Sequence, residues 1–194
     1  MFRFNHQFKP TDHAYNPTNG VVVADGEHWR LSPQGYYYYG PLSLLGEYVI
    51  SDQKVTRTVS APLVSRRLEQ TAWQVAAGWV LTGEDANFKG GVEPRHPFDP
   101  RSGDWGAWQV VARYAALDLD RNSFPLFSDP QSSALSAAAW SVGLNWWLNR
   151  NIRVMTSYSH TTFRGGGASG ATVSPANVTR TDENVFFTRL QLAF

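Results

Sequence analysis

The fold of this chain is decided by its last twelve residues, Glu183-Asn184-Val185-Phe186-Phe187-Thr188-Arg189-Leu190-Gln191-Leu192-Ala193-Phe194. In an extended strand every second side chain lies on the same side. One side here carries Phe186, Thr188, Leu190, Leu192 and Phe194, and the other carries Phe187, Arg189, Gln191 and Ala193. An outer-membrane β-barrel alternates lipid-facing and lumen-facing residues in this way. A closing strand that ends in Phe194 resembles the signal by which such barrels are recognised for membrane insertion.

The same alternation recurs upstream in segments of roughly 10 residues separated by turns, as is typical of barrel strands. These segments lie at 29–39, 42–51, 73–81, 108–114, 140–148 and 152–159. They predict that residues 27–194 form the barrel part, preceded by an irregular segment, 1–26, with a possible short strand. Barrels have short periplasmic turns and long external loops. The turns at 40–41 and 149–151 are short, and the connections at 55–66, 119–135 and 164–180 are long. Strand parity places the long connection 83–103 on the periplasmic side.

Composition agrees with strands that are apolar on one face only. Aromatic residues make up 14% of the chain, with eight Trp, yet the mean hydropathy is −0.35. No stretch approaches the ~18 uninterrupted apolar residues of a spanning helix. The net charge is +1 and the basic residues are scattered, which gives no case for nucleic-acid binding. We therefore predict an all-β fold, an antiparallel transmembrane β-barrel embedded in a lipid bilayer.

Aromatic residues near the ends of the apolar faces predict the interfacial girdles of such a barrel. They are Trp29, Tyr37, Tyr39, Trp73, Trp146, Tyr158 and Phe194. The alternative is a soluble all-β carbohydrate-binding module, in which the Tyr36 to Tyr39 run would stack on sugars. Since strand side chains alternate, only two of these four tyrosines share a face, which favours girdle plus lumen lining.

Several separated motifs resemble the phosphate-selective porin O and P family. They are DGEHWRLSPQGYYYYGP at 25–41, LGEYV at 45–49, GWVLTGED at 78–85, PFDP at 97–100, GAW at 106–108, Arg113-Tyr114 and GLNWWLN at 143–149. The resemblance implies a sixteen-stranded, homotrimeric porin of the bacterial outer membrane that passes small solutes by diffusion, with an anion or phosphate preference. This chain would supply about seven or eight of those strands, its C-terminal half.

The N-terminus carries no basic region followed by an apolar one, so the sequence has no signal peptide. A secreted barrel needs one, and we therefore expect the chain to be a truncated piece whose N-terminal barrel half is missing. Half a wall leaves two unpaired strand edges, which lipid does not satisfy. The chain alone is therefore not expected to form a stable pore.

Strand parity assigns five charged residues to the lumen: Arg30, Glu47, Arg113, Arg153 and Arg189. Four arginines against one carboxylate favour small anions, because rings of Arg or Lys select anions in pores. The alternative is that these arginines pair with acids on the missing part of the wall, or simply line a hydrated lumen. The family's selectivity arginines lie mainly in the half that is absent here, so phosphate specificity is not assigned to particular residues.

Enzymatic and metal chemistry is not predicted, and no cofactor is implied. Ser159-His160 lies near the outer end of a strand, but His160 has lipid-facing parity and no evident acid partner. His6, His13, His28 and His96 lack metal-ligand spacing, and the Glu84-Asp85 pair is predicted to be a solvated loop rather than a calcium site.

Overall fold

The structure, a computed structural model, describes residue 4 and residues 22–57, 63–88, 91–130, 132–166 and 180–193. Within them, eight strands form one antiparallel sheet: β1 Val22–Leu31, β2 Gln34–Tyr39, β3 Leu42–Arg57, β4 Val64–Val80, β5 Ala107–Asp118, β6 Ala134–Trp147, β7 Ile152–Gly165 and β8 Glu183–Leu192. The order is β1-β3-β4-β5-β6-β7-β8, with β2 also on β3. The predicted all-β antiparallel fold is confirmed, and the described sheet is not closed into a cylinder.

The described part of the chain also holds a 3-10 helix, Arg121–Ser123. No helix among the described residues has the length and hydropathy to cross a membrane. Strand β1 begins at Val22, before the boundary predicted at residue 27. Apart from Phe4, residues 1–21 lie outside the described residues.

Strands β1 and β2 are two parts of one line along β3. Leu31 pairs with Ile50 and Gln34 pairs with Glu47, so the register continues across the break. The backbone N–H of Tyr48 donates to the carbonyl of Pro33 at 3.0 Å. Proline has no N–H with which to return that bond. The break is therefore a missing ladder bond rather than a change of register.

The pairing register separates the side chains into two faces, because paired residues share a face and the side-chain period is two. The polar face carries Glu47, Gln74 and Arg113, together with their in-register neighbours such as Ser141 and Ser159. The opposite, apolar face carries Leu42, Leu44, Tyr48, Trp73, Val75, Trp79, Trp108, Val110, Tyr114, Trp140, Val142, Leu144, Trp146, Tyr158, Phe186 and Leu190. The alternation predicted from the sequence is thus confirmed across the sheet.

Two aromatic rows bound the apolar face. Strands β4, β5 and β6 each carry an aromatic pair six residues apart, Trp73 with Trp79, Trp108 with Tyr114 and Trp140 with Trp146. Six residues span about 20 Å along a strand. Rings touch along each row, with centroids 5.4 Å apart for Trp73 and Tyr114 and 5.1 Å apart for Trp108 and Trp146.

Aliphatic side chains fill the space between the aromatic rows and remain uncovered. They include Val75, Val110, Val142 and Leu144, and Val142 is 47% exposed. A contiguous exposed apolar surface of this kind is rare in soluble monomers. It is the pattern expected of a wall that faces lipid.

The connections sort to two ends of the sheet. The short-turn end holds the turns at 40–41 and 148–151 and the connection 81–106, and the long-loop end holds 58–63, 119–133 and 166–182. The long 83–103 connection therefore does share an end with the two short turns, as parity predicted.

The predicted polar loop at 55–66 was too long. β3 continues to Arg57 and β4 begins at Val64. Beyond the aromatic rows the apolar face becomes charged, and its side chains pair across strands. Arg67 contacts Asp52 at 2.9 Å and Glu27 at 3.1 Å. Because the ends of β3 and β4 carry charged pairs in place of apolar side chains, the alternation of apolar and polar residues did not predict these ends.

The connection 81–106 is anchored on the polar face at the short-turn end. Its Ala86 and Val92 pack with Val80, Ala107 and Trp147 in one buried cluster. A chain of polar contacts shapes its start. The N–H of Trp108 donates to Thr82 Oγ1 at 3.2 Å, and that hydroxyl donates to the buried Glu84. Glu84 also accepts the N–H of Arg95 at 3.3 Å.

Two glycines of this connection provide a matched test of its packing. Gly106 has a φ of +70°, and a Cβ there would lie 2.2 Å from the carbonyl oxygen of Trp147, whereas Gly103, with a φ of +80°, has nothing within 4 Å. We expect Gly103→Ala to cost about 1 kcal/mol through backbone strain. Gly106→Ala should cost about 2–3 kcal/mol more, because Trp147 cannot move freely. Denaturant midpoints in detergent measure both. Equal losses would mean that the close approach to Trp147 adds nothing.

Candidate pore-lining face

The five predicted lumen residues lie on one face of the sheet. Arg30 pairs with Ser51, which is four residues from Glu47 on β3. Glu47 pairs with Gln74, and Arg113 pairs with Ala76 two residues along β4. On the far side of the sheet, Arg153 pairs with Trp147 on β6 and with Gln191 on β8, while Arg189 pairs with Met155. Strand geometry alone brings these five residues to the polar face.

Glu47 is held by neutral donors. Ser32 Oγ donates to its Oε1 at 2.8 Å, and Gln74 Nε2 donates to its Oε2 at 2.5 Å. These bonds orient the carboxylate without cancelling its charge. The polar face continues through uncharged pairs, with Asn145 donating to Gln109 at 2.9 Å. This is a hydrophilic surface rather than a packed core.

The four arginines of the predicted set have no acidic partner among the described residues. Arg30, Arg113, Arg153 and Arg189 form no ion pair there within 4.0 Å. Glu47 is the one carboxylate in the predicted set. The predicted set therefore carries four guanidinium groups against one carboxylate.

Arg153 is the most constrained of these arginines. Its guanidinium carbon lies 4.3 Å from the ring centroid of Trp147, and its Nη2 donates to Gln191 Oε1 at 2.6 Å. Trp147 is only 6% exposed beneath the connection 81–106. Arg189 lies on β8 two residues from Gln191. Two arginines thus flank one amide near the short-turn end.

Sequence reasoning missed two further arginines, Arg57 and Arg66. The register places both on the polar face, at the long-loop end, with Arg57 paired to Val64 and Arg66 paired to Val55. They were overlooked because 55–66 was taken as a loop. Extending the two-residue period from Gln70 through Leu68 to Arg66 would have found one of them.

Connections fold onto the polar face from both ends. At the long-loop end, Phe127 of the 119–133 connection packs with Val55 and Leu68. The N–H of Asp120 donates to Gln70 Oε1 at 3.0 Å. At the short-turn end, 81–106 covers Trp147. The band around Glu47 and Arg113 lies between the two coverings.

The sequence was compared with known protein families. The sequence model described as phosphate-selective porin O and P matches residues 2–194. The chain belongs to the phosphate-selective porin O and P family. No curated protein matches the chain.

Family membership gives the coarse function and location. The chain belongs to a family of porins, which are channels of the bacterial outer membrane and not a class of enzymes. The apolar face with its two aromatic rows has the pattern of the lipid-facing side of such a barrel, and the polar face is the opposite side of the same wall. The resemblance noted from the separated motifs is confirmed.

Three other sequence predictions concern Phe194, Glu84 and the tyrosine run at 36–39. Phe194 lies outside the described residues, so its role in membrane insertion stays a prediction. Glu84 is buried and bonded within the connection rather than solvated. Tyr37 and Tyr39 lie on the apolar face and Tyr36 and Tyr38 on the polar face, as alternation required.

The Ser159-His160 pair is split between faces. Ser159 bonds to Ser141 at 2.7 Å on the polar face, while His160 lies on the apolar face, 2.8 Å from Asn184 Oδ1. The statement that His160 lacks an acid partner was wrong, because Asp182 lies 3.8 Å away. A nucleophile and a base on opposite sides of a strand do not act together.

Adjacent hydroxyl residues on β7 test which face of the porin meets lipid. Thr156 pairs with Leu144 on the apolar face, and Ser157 pairs with Gly143 on the polar face. We expect Thr156→Arg to destabilise the folded porin in bilayers by about 2–4 kcal/mol, because arginine is costly in the hydrocarbon region. Ser157→Arg should cost under about 1 kcal/mol, since its side chain meets water. Urea titration in lipid vesicles, read by the electrophoretic shift of the folded form, compares the two. The assignment of faces would be wrong if Ser157→Arg were the more damaging change.

Proposed function

We propose that this chain forms part of the wall of an outer-membrane diffusion channel for small solutes, and that the channel prefers anions. The observation that carries the proposal is a set of four polar-face arginines that form no ion pair among the described residues, Arg30, Arg113, Arg153 and Arg189, with the carboxylate of Glu47 as the acid in the same predicted set. A narrow water-filled lumen lined by one sign of charge raises the local concentration of the opposite ion.

Small oxyanions, phosphate among them, are the proposed preferred solutes. The guanidinium group keeps its charge at any relevant pH and presents a planar fork of donors to such ions. Arg153 and Arg189 flank Gln191, which would add an amide beside the two positive charges. The family description, phosphate-selective, supports the same class of solute.

Closure of the channel requires more strands than the structure describes. β8 pairs only with β7, and the β1–β2 line pairs only with β3, among the described strands. Open edges in a bilayer leave backbone groups unpaired at a cost of several kcal/mol each. We propose that an N-terminal barrel half pairs with both edges and that the complete barrels assemble as a homotrimer. The passage of solute is passive, with external connections controlling access.

Anion preference is tested by removing the two arginines nearest the short-turn end. An ion about 4 Å from a guanidinium gains about 1 kcal/mol even at the dielectric constant of water, so Arg153→Gln with Arg189→Gln should lower the anion-to-cation permeability ratio about fivefold. Reversal potentials across planar bilayers under a salt gradient give that ratio, using the porin extracted from outer membranes.

The matched control for this double variant is Arg164→Gln. Arg164 lies on β7 like Arg153 but on the apolar face, in register with Ser136. We expect this change to leave the permeability ratio as it is. An unaltered ratio in the double variant at normal conductance would contradict a role for Arg153 and Arg189 in anion selection.

The open edges give a separate expectation for the isolated chain. Refolded alone in lipid, the 194-residue chain should give no single well-defined conductance, because its edges remain unpaired. Single-channel recording provides the measurement. A reproducible unitary conductance from the chain alone would contradict the proposed N-terminal half.

A further inference from the structure

A short hairpin, Phe98–Trp105, lies at the short-turn end within the connection 81–106. Asp99 and Asp104 exchange backbone hydrogen bonds of 3.0 Å in both directions. The turn between them is fixed by side chains. Asp99 Oδ1 accepts the N–H of Arg101 at 2.9 Å, and Ser102 Oγ donates to Asp104 Oδ2 at 2.6 Å. The hairpin is an ordered structural unit.

The Phe98–Trp105 hairpin is docked against the apolar face of the sheet. The indole Nε1 of Trp146 donates to the carbonyl of Trp105 at 2.6 Å. The N–H of Phe98 donates to the carbonyl of Leu148 at 2.7 Å, and the Phe98 ring lies 5.3 Å from that of Trp146. The earlier part of the same connection packs on the polar face. The connection therefore reaches both faces of the wall.

The hairpin extends the aromatic row at this end of the apolar face. Trp105 is 63% exposed, and its ring lies 5.8 Å from Phe98. Trp79 and Leu81 are exposed in the same region. The surface is continuous with the lipid-facing wall, and Trp side chains favour the boundary between hydrocarbon and headgroups.

The hairpin carries one guanidinium, Arg101, and two carboxylates, Asp99 and Asp104. Both of its carboxylates accept hydrogen bonds within the hairpin. The exposed Arg101 forms no ion pair within 4.0 Å in the part of the chain that the structure describes. A guanidinium binds phosphate oxygens through its fork of donors. An exposed tryptophan and a guanidinium without an ion pair on one hairpin suit phospholipid better than a second protein surface.

We propose that the Phe98–Trp105 hairpin is a bilayer anchor, with Trp105 in the interfacial layer of the leaflet at the short-turn end and Arg101 on phospholipid phosphates. This inference rests on the proposed function, in which the apolar face meets lipid. It assigns this part of a long periplasmic connection to the membrane surface. The bound partner is the phospholipid leaflet, not a neighbouring barrel.

The sequence contains no cysteine, so single cysteine variants carry the only spin label. Three variants of the porin are compared in vesicles of phosphatidylethanolamine and phosphatidylglycerol. Trp105→Cys labels the hairpin. Phe88→Cys is the matched control, an exposed aromatic of the same connection whose ring lies 5.0 Å from Tyr36 on the polar face. Leu144→Cys reports on the lipid-facing wall.

The measurement is collision of the label with oxygen, which enters bilayers, and with a water-soluble nickel chelate. We expect the oxygen-to-nickel collision ratio at position 105 to be several times that at position 88 and below that at position 144. Ser102→Cys, which retains the Trp105 side chain, should report headgroup depth if the first variant folds poorly.

Each other outcome overturns the anchor. A label at 105 as open to nickel as the label at 88 would mean that the hairpin lies in water. A label at 105 shielded from both reagents would mean that protein, such as a second barrel, covers it. A nickel-accessible label at 144 would contradict the membrane wall itself, which separates failure of the proposed function from failure of the anchor.

Discussion

The register of the antiparallel ladder is the constraint on which the rest of this porin depends. Because side chains alternate, a slip of one residue would exchange the apolar and polar faces of a strand. The pairing of β3 with β4 runs without a shift from Leu42 opposite Trp79 to Arg57 opposite Val64. The two register shifts, at Ala24/His28 and Ala134/Ser136, lie at the long-loop end. Among the described strands, pairing is therefore regular between the aromatic rows, and the shifts lie beyond them.

This division of faces also explains how the wall tolerates so many unpaired arginines. A buried charge without a partner is very costly in protein or lipid. On the polar face, Arg113 and Arg189 form no ion pair among the described residues. On the apolar face, charges appear beyond the aromatic rows, where Arg67 is paired with Asp52. The two faces of the sheet therefore differ in whether these charged side chains are paired.

The connection 81–106 links the two faces at the short-turn end. Its buried contacts hold Trp147 against Arg153 on the polar face. The adjacent residue, Trp146, lies on the apolar face and contacts the Phe98–Trp105 hairpin. Neighbouring tryptophans of one strand thus serve opposite surfaces. Gly106 permits this arrangement, because its positive φ lets the chain approach the Trp147 carbonyl.

Much of the fold and of the candidate site was predictable from local pattern. The period of two is a property of the extended backbone, so the sequence by itself determined most of each strand and which of its sides is apolar. It also determined the common face of Arg30, Glu47, Arg113, Arg153 and Arg189. Only their placement on one face is established, and their lining of a pore remains the proposal.

Tertiary structure alone decided the features that depend on partners distant in sequence. β3 ends at Arg57 and β4 begins at Val64, in a region of charged cross-strand pairs where apolar and polar residues do not alternate. Asp182 and His160 are separated by a long connection, so no local residue spacing predicted their contact. The docking of 81–106 on both faces needs the register of β5 and β6, which brings Trp108 beside Trp146. The alternation of side chains is a local property of the sequence, whereas these contacts form only once the strands have paired.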